Sequence, residues 1–254
     1  ELAEKVASLY QGSGSAKALA TFARSEDAKI ADRSRRALSN LGASNDQNTA
    51  VAARTELASL LSDLATNVVK ILVGGGAGRA GSGFVIAGND TVVTAAHLFS
   101  GSMDLHDILV TSPNGDSTKA TLLKLDKEAD VAVLRLHTKT STQGIGFTAE
   151  PTNGMAAVIL GNTSAGWKST SGLITNINAR ITLFPGRQIF AELDSTIGFS
   201  GAPVINYDGQ LVGMLHASNE LGFSVLVPAS RIVSVVASID GGANKRLQPT
   251  SAGD

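Results

Sequence analysis

The chain has 254 residues, 43% hydrophobic and 17% charged, which is enough length and apolar content for a folded core without covalent staples. Its 21 basic and 22 acidic side chains leave no net field to draw nucleic acid or an anionic membrane. Cys is absent, which excludes disulfides, thiol catalysis and cysteine-held metals, and no apolar run approaches the ~20 residues of a membrane-spanning helix. The expectation is a soluble protein that fits a bacterial cytoplasm or periplasm equally well.

Residues 1–66 read as a small α-helical N-terminal segment. Apolar positions recur at helical spacing through Leu2, Val6 and Leu9, then Leu19, Phe22 and Ala23, then Ile30, Ala37, Leu38 and Leu41, with Gly42 as a stop. A fourth pattern runs from Thr49 through Val51, Leu57, Leu60, Leu61 and Leu64. Basic and acidic residues balance at 8 each, so the segment has no electrostatic bias. One stretch resembles a single armadillo- or HEAT-type unit, but a lone unit cannot bury its own face. A packing arm or prodomain is the simpler reading, with a protein partner or self-association as its expected use.

From Asn67 the period changes to that of strands. Val68–Val73, Gly81–Ile86, Thr91–Thr94, Ile108–Thr111, Ala120–Leu125, Val131–Leu136, Ala156–Leu160, Ser171–Ile177, Gln188–Leu193, Ala202–Asn206, Leu211–Leu215 and Gly222–Val227 are short apolar or β-branched runs. Gly, Asn, Asp and Pro turns separate them, the rhythm of an all-β barrel or sandwich. Ala229–Ile239 is expected to close a domain spanning 67–240 as one helix, and 241–254 to be a loose tail.

Chemistry concentrates in Asp194-Ser195-Thr196-Ile197-Gly198-Phe199-Ser200-Gly201-Ala202-Pro203. Glycines on both sides of Ser200 allow a tight turn that uncovers its hydroxyl and aims the Gly198 and Ser200 amides at one point, as an oxyanion site requires. A base and an orienting acid appear upstream. His97 ends the small-residue strand Val92-Val93-Thr94-Ala95-Ala96, and Asp130 heads the apolar strand Val131–Leu136, where burial would be costly without a partner such as an imidazole. Each residue alone has a bland explanation; together they read as nucleophile, base and orienter.

Residues 67 to about 238 resemble the chymotrypsin-fold (trypsin-like) serine proteases, most closely their HtrA/DegP-type bacterial branch. The strings Gly81-Ser82-Gly83-Phe84-Val85-Ile86, Thr94-Ala95-Ala96-His97, Asp130-Val131-Ala132-Val133-Leu134 and Gly198-Phe199-Ser200-Gly201-Ala202-Pro203-Val204 carry the resemblance. Leu160-Gly161-Asn162, Ser171-Gly172-Leu173-Ile174 and Gly209-Gln210-Leu211-Val212-Gly213-Met214 add to it. It implies a mainly β protein of two six-stranded antiparallel barrels preceded by the helical segment. The implied activity is a serine endopeptidase acting on polypeptides through an acyl-enzyme, without cofactor or metal. His97 would be the general base, Asp130 its orienter, Ser200 the nucleophile, and the Gly198 and Ser200 amides the oxyanion donors. A protease-like binding scaffold and an esterase are the rival readings. HtrA proteins add a C-terminal PDZ domain, which is not expected here. Phe199 before the nucleophile departs from trypsin-type zymogens, which place an Asp there.

Specificity is read from Asp194, Leu215 and His216. Asp194 lies at the offset where trypsin-like enzymes put a pocket-base Asp, and stands either there or in solvent. Alternation along Val212–His216 turns Leu215 toward the pocket and His216 away from it. Cleavage after apolar or basic residues, and against acidic ones, is the expectation. His106 and His137 read as solvated, Trp167 as a packing loop aromatic, and the glycine loop 74–78 lacks the Lys of a phosphate-binding loop. No two histidines have the local spacing of metal ligands.

Overall fold

The computed structural model describes residues 62, 64–75, 78–86, 88, 90–101, 107–140, 142, 144–147, 151–163, 166–181, 184–206, 209–218 and 223–239. Nearly all of the expected helical segment, the tail and His106 lie outside the described residues.

Six strands, β1 (Val68–Val73), β2 (Arg79–Val85), β3 (Thr91–Ala95), β4 (Ile108–Thr111), β5 (Ser117–Asp126) and β6 (Val131–Leu136), close an antiparallel barrel in the order β1-β2-β3-β6-β5-β4. A second sheet holds β7 (Gly146–Phe147), β8 (Ala156–Thr163), β9 (Gly166–Ile181), β10 (Phe184–Glu192), β11 (Pro203–Ile205), β12 (Gln210–Ser218) and β13 (Phe223–Pro228). Its order is β11-β8-β9-β10-β13-β12-β7, and β11 also pairs with β12. Two-residue β7 joins β12 in parallel and is too short to leave a periodic signal in the sequence. β9 extends well beyond the apolar run Ser171–Ile177, because pairing with β8 and β10 carries its polar ends. Trp167 therefore sits on a strand opposite Asn162, not in a loop, and packs against the larger core.

The continuous apolar run of β8 has both faces covered. Ala157 and Ile159 point into a core with Ile174, Phe199, Val204 and Leu226, while Val158 and Leu160 point into a core shared with Phe84, Val133 and Leu134 of the barrel. Each fully buried Ile, Leu or Phe contributes about 1.5–3 kcal/mol, so the seam between barrel and sheet is itself core. Helix α1 (Ala229–Ala237) follows Pro228, whose fixed φ suits the residue before a first turn. It buries Ala229, Ile232, Val235 and Val236 as one stripe against the shared core.

Candidate active site

Beyond β3 the chain makes a single 3-10 turn, Ala96–Phe99, which buries Leu98 and Phe99 and leaves the His97 side chain 36% exposed. Arg79 and Ser100 both donate to the His97 carbonyl, at 3.0 and 2.7 Å, and fix the turn. Asp130 ends the turn between β5 and β6. Its φ of 53° is the one non-glycine value in the left-handed region among the described residues, a conformation Asp tolerates better than most side chains. The twist points both the carbonyl and the carboxylate of Asp130 at the Ala96–Phe99 turn. Its carbonyl accepts the Ala96 amide at 3.2 Å, its Oδ1 accepts the His97 amide at 2.7 Å, and its Oδ2 accepts His97 Nδ1 at 2.9 Å.

Burial is the largest influence on the Asp130 carboxyl and acts to raise its pKa. Hydrogen bonds from His216 and His97, with their charge, together outweigh it and hold the carboxyl below its ordinary value. Asp130 is an ionised acceptor, so His97 carries its proton on Nδ1 and leaves Nε2 as the basic nitrogen.

The Ser200 loop is two consecutive β-turns. Phe199 N–H donates to the Thr196 carbonyl at 3.0 Å, and Ala202 N–H donates to the Phe199 carbonyl at 2.8 Å. Gly198 (φ 101°) and Gly201 (φ 82°) hold the third position of each, where a type II turn needs positive φ. That is why glycines three apart bracket Phe199-Ser200. Gly201 also faces the barrel: a Cβ there would lie 2.3 Å from the Ser82 carbonyl and 2.8 Å from the Ala95 amide, two residues before His97. The Gly198 and Ser200 amides have no acceptor among the described residues.

Ser82, fully buried on β2, ties this loop to the barrel. Its amide donates to the Ser200 carbonyl at 2.8 Å and its hydroxyl to the Gly198 carbonyl at 2.6 Å. The same hydroxyl accepts the Asn162 amide at 2.9 Å, and Thr94 Oγ1 donates to the Ser82 carbonyl at 2.6 Å. The sequence reading assigned Ser82 no role. A polar side chain inside an otherwise apolar strand was the available signal, because buried polar groups need partners.

The pocket residues fall in different places. Asp194 is exposed, with its carbonyl accepting from Thr170 Oγ1. Leu215 is buried in the core of the second sheet. His216, weighed with the specificity residues and read as turned away from the pocket, is buried and bonded through its ring to Asp130. His137 is exposed and within 3.0 Å of Thr121 Oγ1. Local spacing also missed a cluster that folding creates, since His97, Asp130 and His216 bring donor atoms of metal-ligand type within 4.8 Å of one another. Here those atoms face each other as proton donors and acceptor.

Residues 81–214 match the model of the trypsin-like peptidase domain. The chain belongs to that family. Curated relatives include the mitochondrial serine protease HTRA2 of Bos taurus, 31% identical over 160 residues, covering 60% of this chain and 34% of the relative. A probable periplasmic DegP-like serine endoprotease of Halomonas elongata is 28% identical over 190 residues, covering 67% of this chain and 39% of the relative. The chain thus spans little more than a third of the length of these trypsin-like relatives. Among solved structures, a serine endoprotease from Yersinia pestis shares the fold at TM-score 0.63 and 24% identity, covering 73% of this chain and 67% of that one. The Rv3671c protease of M. tuberculosis, in its inactive form, aligns at TM-score 0.60 and 26% identity, covering 71% and 92%.

Proposed function

We propose that this chain is a serine endopeptidase with His97 as general base, Asp130 as its orienter and Ser200 as nucleophile. One observation carries the reading: Asp130 grips both the amide and the ring of His97, beside a seam where glycine turns press Ser200 against β2 and the end of β3. His97 Nε2 takes the Ser200 proton as the hydroxyl attacks a peptide carbonyl. The Gly198 and Ser200 amides, without acceptors among the described residues, receive the oxyanion, each donor being worth about 3–4 kcal/mol in such sites. His97 then returns the proton to the leaving amine, and water releases the acyl group by the reverse path.

The β11–β12 pairing supports reading β8 to β13 as a second six-stranded barrel with β7 added outside. Residues 67–240 would form the protease unit, with the N-terminal segment free for a partner or self-association. Cleavage after apolar or basic residues is the reading supported by the exposed Asp194 carboxylate and by a His216 already committed to Asp130, while Leu215, buried in the core, contributes no wall. The test is fluorophosphonate labelling followed by casein digestion, with Ser200→Ala as control. Labelling and digestion that both vanish in Ser200→Ala are expected; equal digestion by the two proteins overturns the assignment.

A further inference from the structure

The acid of this site carries two histidines. His216 Nδ1 forms a short hydrogen bond with Asp130 Oδ2, the same oxygen that accepts His97 Nδ1 at 2.9 Å. An ionised carboxylate only accepts, so both imidazoles donate. His216 therefore bears its proton on Nδ1. Its Nε2 is buried without a partner among the described residues, and a second proton there would be a buried donor with nothing to bond. The Phe184 ring stands against it at an interplanar angle of 85°.

The backbone explains how a strand residue reaches across the seam. On β12, Leu215 pairs with Leu226 and Ala217 with Val225, which leaves His216 as the extra residue of a bulge. Its neighbours set the direction: Met214 faces the core shared with the barrel and Leu215 the core of the second sheet, so His216 points toward the barrel.

We propose that His216 is a positioning residue for the reaction, a second N–H donor that locks the Asp130 carboxylate and draws off part of its charge. The proposal rests on the Ser200–His97–Asp130 reading. With the His97 amide on Oδ1 and two imidazoles on Oδ2, the carboxylate has no rotation left that keeps its bonds. A donor on Oδ2 also weakens the pull of Asp130 on the His97 imidazolium, so its removal concentrates charge on the carboxylate and favours that imidazolium. Arg79, the other charged group bonded to the cluster, reaches only the His97 carbonyl and is common to every variant.

The experiment compares wild type with His216→Asn, whose amide keeps an N–H donor at similar reach, and His216→Leu, which removes it. In wild type, imidazole-selective NMR should show two N–H protons far downfield, and His216→Asn should lose one while keeping that of His97. On a peptide substrate, His216→Leu should lose roughly 10–100-fold in kcat with KM within about twofold, while His216→Asn stays within about fivefold of wild type. The acid limb of kcat/KM should move to higher pH in His216→Leu by about half a unit or more. A single downfield proton in wild type overturns the proposal, as does a Leu variant with unchanged kcat and acid limb, or Asn and Leu equally impaired. Should His216→Leu fail to fold, His216→Ala, which also removes the donor, against His216→Asn makes the same comparison. Two downfield protons in a protein that fluorophosphonate does not label would sink the protease reading while leaving the bond itself established.

Discussion

The two ends of the site are fastened across the seam in opposite directions and by different chemistry. At the Asp130 end, His216 of the second sheet reaches Asp130 of the barrel; at the Ser200 end, Ser82 of the barrel reaches Gly198 and Asn162 of the second sheet. The first fastening gathers three donors on one ionised carboxylate and answers to charge. The second is made of neutral hydrogen bonds and glycine turns and answers to volume and backbone shape. A site can thus be rigid for two unrelated reasons, and substitutions can separate them.

The largest separation should come from Asp130→Asn. An amide cannot accept from all three donors or steady the imidazolium, so kcat/KM should fall by about 10⁴-fold while the nucleophile loop keeps its turns. Peptide hydrolysis, with circular dichroism as a check on folding, measures this. Ser82→Ala strikes the other end: the Gly198 carbonyl loses its donor and the Asn162 amide its acceptor, and kcat should fall about 10²-fold as the oxyanion loop drifts. Unchanged kcat in that variant would detach the loop from its anchor. Gly201→Ala should act through stability, since its Cβ meets the Ser82 carbonyl at 2.3 Å on a left-handed residue. A loss of about 3 kcal/mol or more in denaturant unfolding is expected.

The smallest effect concerns pH. The folded Asp130 carboxyl titrates below its ordinary value, so the stability it contributes is fully present above that ordinary value. It is lost as pH falls through the lowered folded value. The gap in unfolding free energy between wild type and Asp130→Asn should hold at neutral pH and narrow only below about pH 4.

Much of this was legible in the sequence. Apolar runs broken by Gly, Asn and Asp located most strands, and the local settings of His97, Asp130 and Ser200 marked them as a set before any geometry. What was hidden depends on contacts across long separations. Alternation says on which side of β12 His216 lies, but not that Asp130 stands there, 86 residues earlier. Ser82 looked like part of a glycine-rich strand because its partners belong to the other sheet. The left-handed φ of Asp130 leaves no trace in composition, since the residue that adopts it is also the one whose carboxylate the site needs.

The Ser82 hydroxyl and the Gly198 carbonyl it bonds are 116 residues apart in the chain. Contacts of that span form only after a large loop has closed, at an entropic cost that local turns never meet, which makes folds built on them slow. Each hairpin of the barrel can assemble from nearby chain, whereas the oxyanion loop takes its final shape only when barrel and second sheet have docked. A refolding chain therefore regains strand content first and a competent site last. A newly made protein passes through its intermediate stages with the proposed catalytic site still unassembled, so on that reading it could not yet cut its neighbours or itself.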